Sequence, residues 1–392
     1  MVDGLQSDRR AAIQAACQIA PEFVERAREG DSLRTMPPDL ASKAKRMGLF
    51  RLCLPRSLGG MELDPTTAIE VIEIVSRADG SAGWTVLIGN STAFFAWLDP
   101  AVAKEMIGGD PDFCSTGVFA PMGQASAGDS GEFMVSGRWP FNSGCPHSEW
   151  CQVGVFVMDG DRPRLRDEGV PDWRFAFLDR KSVVVEDTWD ALGLRATGSH
   201  HIQVANQCVP VEHTAAPLFE AARHDGPLWR LPLFSLATIL MAGFPLGVAR
   251  RALDEFTELA KSKFRGSPTD TVASDGFAQA QLARAEAGVQ AARSFVFDVV
   301  GEIWDVCRIG DAPDIDQRAR LVLAANQAMR AGVEAVECLF RLAGASAVFS
   351  DDPLQRCFRD LHAGNQHIIF STNRDKAFSK LRFGIDQPTY LI

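Results

Sequence analysis

Apolar residues recur at three- and four-residue spacing through the N-terminal part of the chain. Ala12, Ile13, Ala16, Ile19, Ala20, Phe23 and Val24 form one stripe with Arg and Glu opposite, the pattern of an amphipathic helix. The Pro37-Pro38-Asp39 turn opens a second helix that ends before Gly48. A third spans 65–78, starting on Pro65 and Thr66 and turning Ile69, Ile72, Ile74 and Val75 inward, with Gly80 and Gly83 expected to close it. The stretch 81–97 is almost free of charge and carries Trp84, Phe94, Phe95 and Trp97, so it is predicted to be a deeply placed helix.

After Cys114 the period changes from helical to alternating. Val153, Val155 and Val157 alternate, as do Phe175 and Phe177, and Ile202 and Val204, which is a strand signature. Gly/Asp/Pro clusters at 128–131, 159–164 and 168–172 supply turns, so this section reads as a small antiparallel β-domain. Long helical patterns return from about 230. One covers 277–308, another runs from Pro313-Asp314 to Gly344, and a last runs from Pro353 to about Phe383, ended by Gly384. The reading is α+β in three domains: helical over 1–113, an antiparallel β-barrel over 114–226, and a four-helix bundle over 227–392.

Composition narrows the function classes. The 392 residues carry 50 acidic and 40 basic side chains, a formal charge of −10, without a long Lys/Arg run. Nucleic acid is therefore not expected as a partner. Nine scattered cysteines without a CxxC pair read as reduced thiols, and no apolar segment follows the N-terminal arginines, so a cytoplasmic protein is expected. Residues 231–249 are uncharged and about as long as a bilayer is thick, but Pro232, Gly243, Pro245 and Gly247 interrupt them. A buried helix with a helix-to-helix junction is expected there, not a membrane span.

Familiar nucleotide and hydrolase motifs are missing: there is no GxGxxG opening a helix, no GxxxxGK[ST] and no GxSxG. His200 and His201 are neighbours on a presumed strand, point to opposite faces and do not make a metal site. Four unusual segments remain, at structural transitions. They are Phe119-Ala120-Pro121-Met122-Gly123, the run from Arg138 through Trp139, Phe141, Asn142, Ser143 and Gly144 to Trp150, Leu194 to His200, and Arg359 to His367. An Asn-Ser-Gly turn framed by Trp139, Phe141 and Trp150 offers backbone N–H groups, a hydroxyl and an aromatic wall to a flat heteroaromatic ligand, or else is a tight turn under core aromatics. In the last segment His362 and His367 lie five positions apart, about 140° around a regular helix, so both cannot face one ligand. Ala363 and Gly364 leave the face of His367 bare, and His362 is expected to pack or pair at an interface.

With Pro55-Arg56-Ser57-Leu58-Gly59-Gly60-Met61-Glu62-Leu63-Asp64 and Ala78-Asp79-Gly80-Ser81-Ala82-Gly83-Trp84, these segments resemble the acyl-CoA dehydrogenase superfamily, specifically its flavin-dependent monooxygenase branch, over nearly the whole chain. The resemblance implies the oxygenase of a two-component system. Such an enzyme takes reduced FAD, with FMN as the other choice, from a separate flavin reductase. It reacts the flavin with dioxygen through a hydroperoxide and hydroxylates an aromatic or polycyclic small molecule, as a homotetramer. It also implies that Phe119, Pro121, Met122, Gly123, Trp139, Phe141, Asn142, Ser143 and Gly144 wall the flavin ring, with the Ser143 hydroxyl on its central-ring nitrogen. Arg195, Thr197 and Ser199 would lie near the cofactor, and Lys263 or Arg265 would reach a phosphate across a subunit boundary. His367 matches the active-site histidine, with an ordinary imidazole titrating near ~6.5.

Two departures stand out. The helix that carries a second active-site histidine in several relatives reads Ile88-Gly89-Asn90-Ser91-Thr92-Ala93-Phe94 here, leaving Asn90 or Ser91 as the substitute hydrogen-bonding group. No Glu-Gly-Thr follows Arg359-Asp360. The alternative function, an acyl-CoA dehydrogenase with bound FAD, therefore needs a catalytic carboxylate elsewhere, with Glu334 and Glu337 the nearest candidates.

Overall fold

A computed structural model of the chain describes residues 2–387 apart from 129, 168 and 268–269, with the side chains of 2–6 and 265–267 also outside the description. Helices α1 (Val2–Glu25), α2 (Ala27–Leu33), α3 (Pro38–Arg46), α4 (Pro65–Ala78), α5 (Gly80–Gly89) and α6 (Pro100–Ile107) come first. Asp64 caps α4 by accepting from the Thr67 N–H at 2.9 Å, and Asp79 caps α5 from the Ala82 N–H at 2.8 Å. Gly80 and Gly83 thus begin a new helix where they were expected to end one. A Cβ on Gly83 would lie 2.0 Å from Ser76 Oγ, so this glycine lets α5 press against α4. The predicted helix over 81–97 is α5 followed by a 3₁₀ segment, Asn90–Trp97, and it is buried as expected except at the partly exposed Ile88.

The sheet comprises β1 (Ser115–Ala127), β2 (Glu132–Trp139), β3 (Trp150–Asp159), β4 (Arg162–Pro163), β5 (Trp173–Asp179), β6 (Val184–Glu186), β7 (His201–Pro210) and β8 (Thr214–Ala215). Its order is β6-β7-β2-β1-β3-β5-β8, with β4 on β3. The sheet is mixed, where an antiparallel one was expected, because β1 and β3 run parallel. A parallel neighbour needs a crossover. Residues 140–149 make it, carrying the chain from β2 past β1, and the Asn-Ser-Gly turn lies on that crossing. One sheet face holds Val135, Trp139, Val153, Val155, Val157, Ile202 and Val204 in a core of its own. The other turns Phe175 and Phe177 against Phe94 and Phe95 of the helical core.

The chain then returns to helices α7 (Leu233–Ser262), α8 (Gly276–Arg308), α9 (Ile315–Ala343), α10 (Pro353–Gly364) and α11 (Thr372–Arg382), with a short hairpin of β9 (Phe264–Ser267) and β10 (Asp270–Thr271) after α7. The expected junction near Pro245 is absent: α7 continues through it. Among the described residues α7 is the one helix long and apolar enough to cross a membrane, and 89% of its apolar window is buried, packed on α4 and α9. Asp314 and Gln317 cap α9 reciprocally, as the Pro-Asp start implied. The last expected helix is broken: α10 stops at Gly364, a 3₁₀ turn covers Ile368–Phe370, and α11 starts anew.

Candidate functional site

The crossover corner and the loop before β7 are bound together backbone to backbone. Asn142 N–H donates to His200 O at 3.0 Å, and Gly144 N–H to Thr197 O at 2.8 Å. Positive φ concentrates here, at Phe141 (63°) and Gly144 (76°) on the corner and at Leu194 (53°) and Gly198 (57°) on the loop. For a bulky residue such as Phe141 this is a strained conformation, sustained only by surrounding contacts. Its ring is 63% exposed, edge-on to Trp189 at 6.3 Å and to His201 at 5.7 Å. The loop is fixed from behind, since Leu194 N–H donates to Asp360 Oδ1 of α10 at 2.6 Å and Ala196 N–H to Ser81 Oγ at 3.3 Å. Burial drives the Asp360 carboxyl above the usual carboxylate range, against the pull of Arg356.

A run of hydroxyls leads out of this loop. Thr197 Oγ1 lies 2.8 Å from Leu194 O, Ser199 Oγ 2.5 Å from Thr197 Oγ1, and Ser143 Oγ 2.6 Å from Ser199 Oγ. Three oxygen–oxygen contacts share three hydroxyl protons, and the carbonyl at the far end can only accept. Only one arrangement bridges all three contacts: Ser143 donates to Ser199, Ser199 to Thr197, and Thr197 to Leu194 O. Ser143 Oγ in turn accepts from Trp84 Nε1 at 3.1 Å. Its proton is committed to Ser199, so toward a ligand it presents a lone pair.

Trp84 of α5 joins the two halves of the site. Its ring meets Phe244 at 5.0 Å and His367 at 5.5 Å, both edge-on. Gly364 makes this approach possible, because a Cβ there would lie 2.5 Å from Phe244 Cε1 and 3.3 Å from Trp84 Cζ3. His367 is off the helix on which it was expected, so the argument from helical angles does not govern it. It caps the 3₁₀ turn, its Nδ1 accepting from the Ile369 N–H at 3.3 Å. Burial, with the Arg374 charge adding, pushes the imidazole down to about 4, below the ordinary value expected from the sequence. It is neutral at pH 7, and with Nδ1 accepting, its proton sits on Nε2. His362 lies 3.3 Å from Glu337 and 4.3 Å from the Phe358 ring, contacts within the chain and not at an interface.

Other expected site residues fall elsewhere. Trp139 is fully buried inside the sheet core, donating to Gly154 O at 2.8 Å, so it cannot wall a ring directly. Gly123 is where that indole passes, 2.1 Å from a would-be Cβ. Pro121 sits at an irregular register of β1 against β3, next to Met122, which is 54% exposed. Phe119 packs on Phe94 and Phe175 at 5.1 Å each. Arg195 is turned to Ala191 O (2.9 Å) and Asp190 (3.3 Å). Lys263 Nζ bonds the Ala343 carbonyl at the end of α9, and the Arg265 side chain lies outside the described residues. Asn90 and Ser91 do not replace the second histidine. Asn90 accepts from Leu52 N–H and donates to Leu49 O and Val86 O, and Ser91 donates to Ile88 O at 2.5 Å. Glu334 is exposed and Glu337 faces His362, so neither candidate base of the dehydrogenase alternative is seen at the Ser143–Trp84–His367 cluster.

Sequence reasoning took Trp84 only for an apolar core residue and passed over Arg374 and the role of Asp360. The signals available were the Gly83-Trp84 pair on an uncharged helix and the Arg359-Asp360 dipeptide. A flat redox ring fits the residues present. Asn142 keeps both amide atoms buried with no nitrogen or oxygen partner among the described residues, the Cys151 thiol being its one side-chain neighbour for a hydrogen bond, Ser143 holds a lone pair ready, and Phe141, Met122 and Ile368 are exposed apolar side chains.

Known proteins agree with this architecture. Residues 6–101 match the model of the acyl-CoA dehydrogenase N-terminal domain, and residues 239–372 that of the C-terminal domain. The chain is similar to indole-3-acetate monooxygenase of Pseudomonas putida, 32% identical over 370 residues and 92% of either chain. It is also similar to the crystal structure of the HsaA monooxygenase from M. tuberculosis, 25% identical with a TM-score of 0.90 over 98% of this chain and 100% of that one. XiaF from Streptomyces sp., solved with FADH2 and glycerol, shares the fold at 23% identity, with a TM-score of 0.88 over 97% of each chain.

Proposed function

We propose, from the premise that this chain belongs to the acyl-CoA dehydrogenase family and to its flavin-dependent monooxygenase branch, that it is the oxygenase component of a two-component system, hydroxylating an aromatic or polycyclic small molecule with reduced FAD delivered by a separate reductase. The observation that carries this is the placing of Ser143 and His367 on one ring, Trp84, with a hydroxyl bonded to its N–H and an imidazole against its edge.

Each side chain then has a task. Ser143 and Asn142 hold the ring's polar edge, Phe141 and Met122 its apolar faces, and Asp360, through Leu194, keeps the loop of Thr197 and Ser199 in register. The lone pair on Ser143 suits an N–H donor, which the central-ring nitrogen of a flavin is in its reduced form. His367, neutral with its proton on Nε2, donates a hydrogen bond to the reacting oxygen or substrate. When bound, reduced flavin supplies the two electrons that activate dioxygen. The reading includes a homotetramer in the cytoplasm, supported by the exposed apolar side chains Phe277, Val348 and Phe349 on the C-terminal helical part and by the scattered, unbridged cysteines.

The test is to mix the enzyme, charged anaerobically with reduced FAD and a panel of aromatic compounds, with isotope-labelled dioxygen. One labelled oxygen atom should appear in a hydroxylated product. Complete flavin reoxidation with stoichiometric hydrogen peroxide and no labelled product across the panel contradicts the reading.

A further inference from the structure

Arg374 is a cation without a counter-charge. It sits in the first turn of α11, its Nη1 donates to Thr238 Oγ1 at 3.1 Å, and its guanidinium lies 5.6 Å from the Phe234 ring centroid. Thr238 is itself buried and donates onward to Phe234 O at 2.6 Å, so Arg374 meets a neutral hydroxyl there. Nη2 is buried with no partner among the described residues, and no carboxylate pairs with this arginine in that set. The neighbouring Asp375 turns away to Asn326 and Arg330. A buried, unpaired guanidinium is strongly unfavourable, and such groups are otherwise found paired or hydrogen-bonded throughout.

Position says what would pair with it. Phe234 stands 6.3 Å from Phe119, which belongs to the aromatic group of Phe94 and Phe175. The Arg374 charge also acts on His367. An unpaired planar donor, an apolar aromatic wall and a neutral imidazole therefore lie within one neighbourhood. Resting on the function proposed above, we infer that Arg374 is the anchor for an anionic group of the substrate, and that the substrate class is aromatic acids carrying a carboxylate on the ring or on a short side chain. A planar guanidinium with a free edge suits a carboxylate oxygen, and the aromatic body lies on Phe234 and Phe119 while its reacting edge faces His367.

The test compares arylacetates and aryl carboxylates with their neutral primary amides, using dissociation constants from tryptophan fluorescence on the wild-type enzyme and on Arg374→Met, Arg374→Lys and Thr238→Val, each with reduced FAD bound under anaerobic conditions. The acids should bind wild type on the order of tenfold or more tightly than the amides. Arg374→Met should erase that preference while leaving amide binding and FAD affinity unchanged, and Arg374→Lys should restore part of it. Arg374→Met should also melt no lower than wild type, since it removes a buried unpaired charge. Equal binding of acids and amides by a wild-type enzyme that does bind FAD overturns the inference and leaves the proposed function standing. If Arg374→Met weakens FAD but not riboflavin, the anion is the cofactor's phosphate, which also overturns it. Failure to bind any flavin strikes the proposed function itself.

Discussion

Around Asn90, where α5 passes into the 3₁₀ segment, and around Asn142, on the crossover corner, polar side chains are buried, yet the two places differ in what they leave available. The Asn90 amide is used on three backbone groups, Leu49 O, Leu52 N–H and Val86 O, and its neighbour Ser91 on a fourth, Ile88 O. The Asn142 amide meets only the weakly bonding Cys151 thiol among the described residues, and Ser143 beside it offers a lone pair. The first turn is a brace for the 3₁₀ segment. The second holds strain and unused hydrogen-bonding capacity, which folding alone does not require. Residue type does not separate them; unused capacity does.

The largest effect is expected on the site's other side. His367→Ala or His367→Asn should lower product formation on the order of 10²- to 10³-fold, measured as coupled turnover, while FAD affinity changes little. A loss of flavin binding in proportion to turnover would make His367 a binding residue and weaken the contrast with the Asn142 corner.

Next comes stability. Asn90→Ala strands two buried backbone groups, Leu49 O and the Leu52 N–H, since Val86 O keeps the backbone N–H of residue 90, and should cost about 2 kcal/mol or more by urea unfolding. Asn142→Ala removes an amide whose one recorded side-chain partner is a thiol and should cost less than about 1 kcal/mol while weakening reduced-FAD binding. If the two alanine variants lose equal stability, the comparison fails.

A smaller effect is expected from pH. Burial holds His367 and His147 down at about 4 each, below an unfolded imidazole near ~6.5. Between those values the unfolded chain binds protons that the folded chain refuses, so stability is full above about pH 6.5 and declines as pH falls toward about 4. Thermal melting across that window should show the decline, and His367→Gln should flatten part of it. An unchanged slope in that variant would mean that the imidazole is not held neutral.

The elements legible in the sequence are those whose causes are local. α4 and α9 announce themselves through periodicity and through Asp64, Asp314 and Gln317 at their caps. The break after α10 is not legible, because polar and apolar residues continue to alternate at helical spacing beyond it. At the break Gly364 lies against Phe244 and Trp84, a contact between distant segments. The mixed sheet was hidden for the same reason, since alternation says which side chains share a face but not which strand lies alongside. Ser143 and His367 were singled out from a pattern of motifs, but their meeting at Trp84 depends on contacts between distant parts of the chain, as does the burial of Trp139 in the sheet core.

The most direct measurement is the ratio of dissociation constants for oxidised and reduced FAD, taken anaerobically on wild type, Ser199→Ala and Thr197→Val, with Thr197→Ser as the conservative control. If the hydroxyl run from Ser143 to Leu194 O turns a lone pair toward the ring nitrogen, wild type and Thr197→Ser should favour reduced FAD on the order of tenfold. The other two variants should lose most of that preference, although among the described residues the Thr197 hydroxyl bonds Ser199 and the Leu194 carbonyl and not Ser143. Equal affinity of wild type for both redox forms, or a preference untouched by Ser199→Ala and Thr197→Val, would contradict the account.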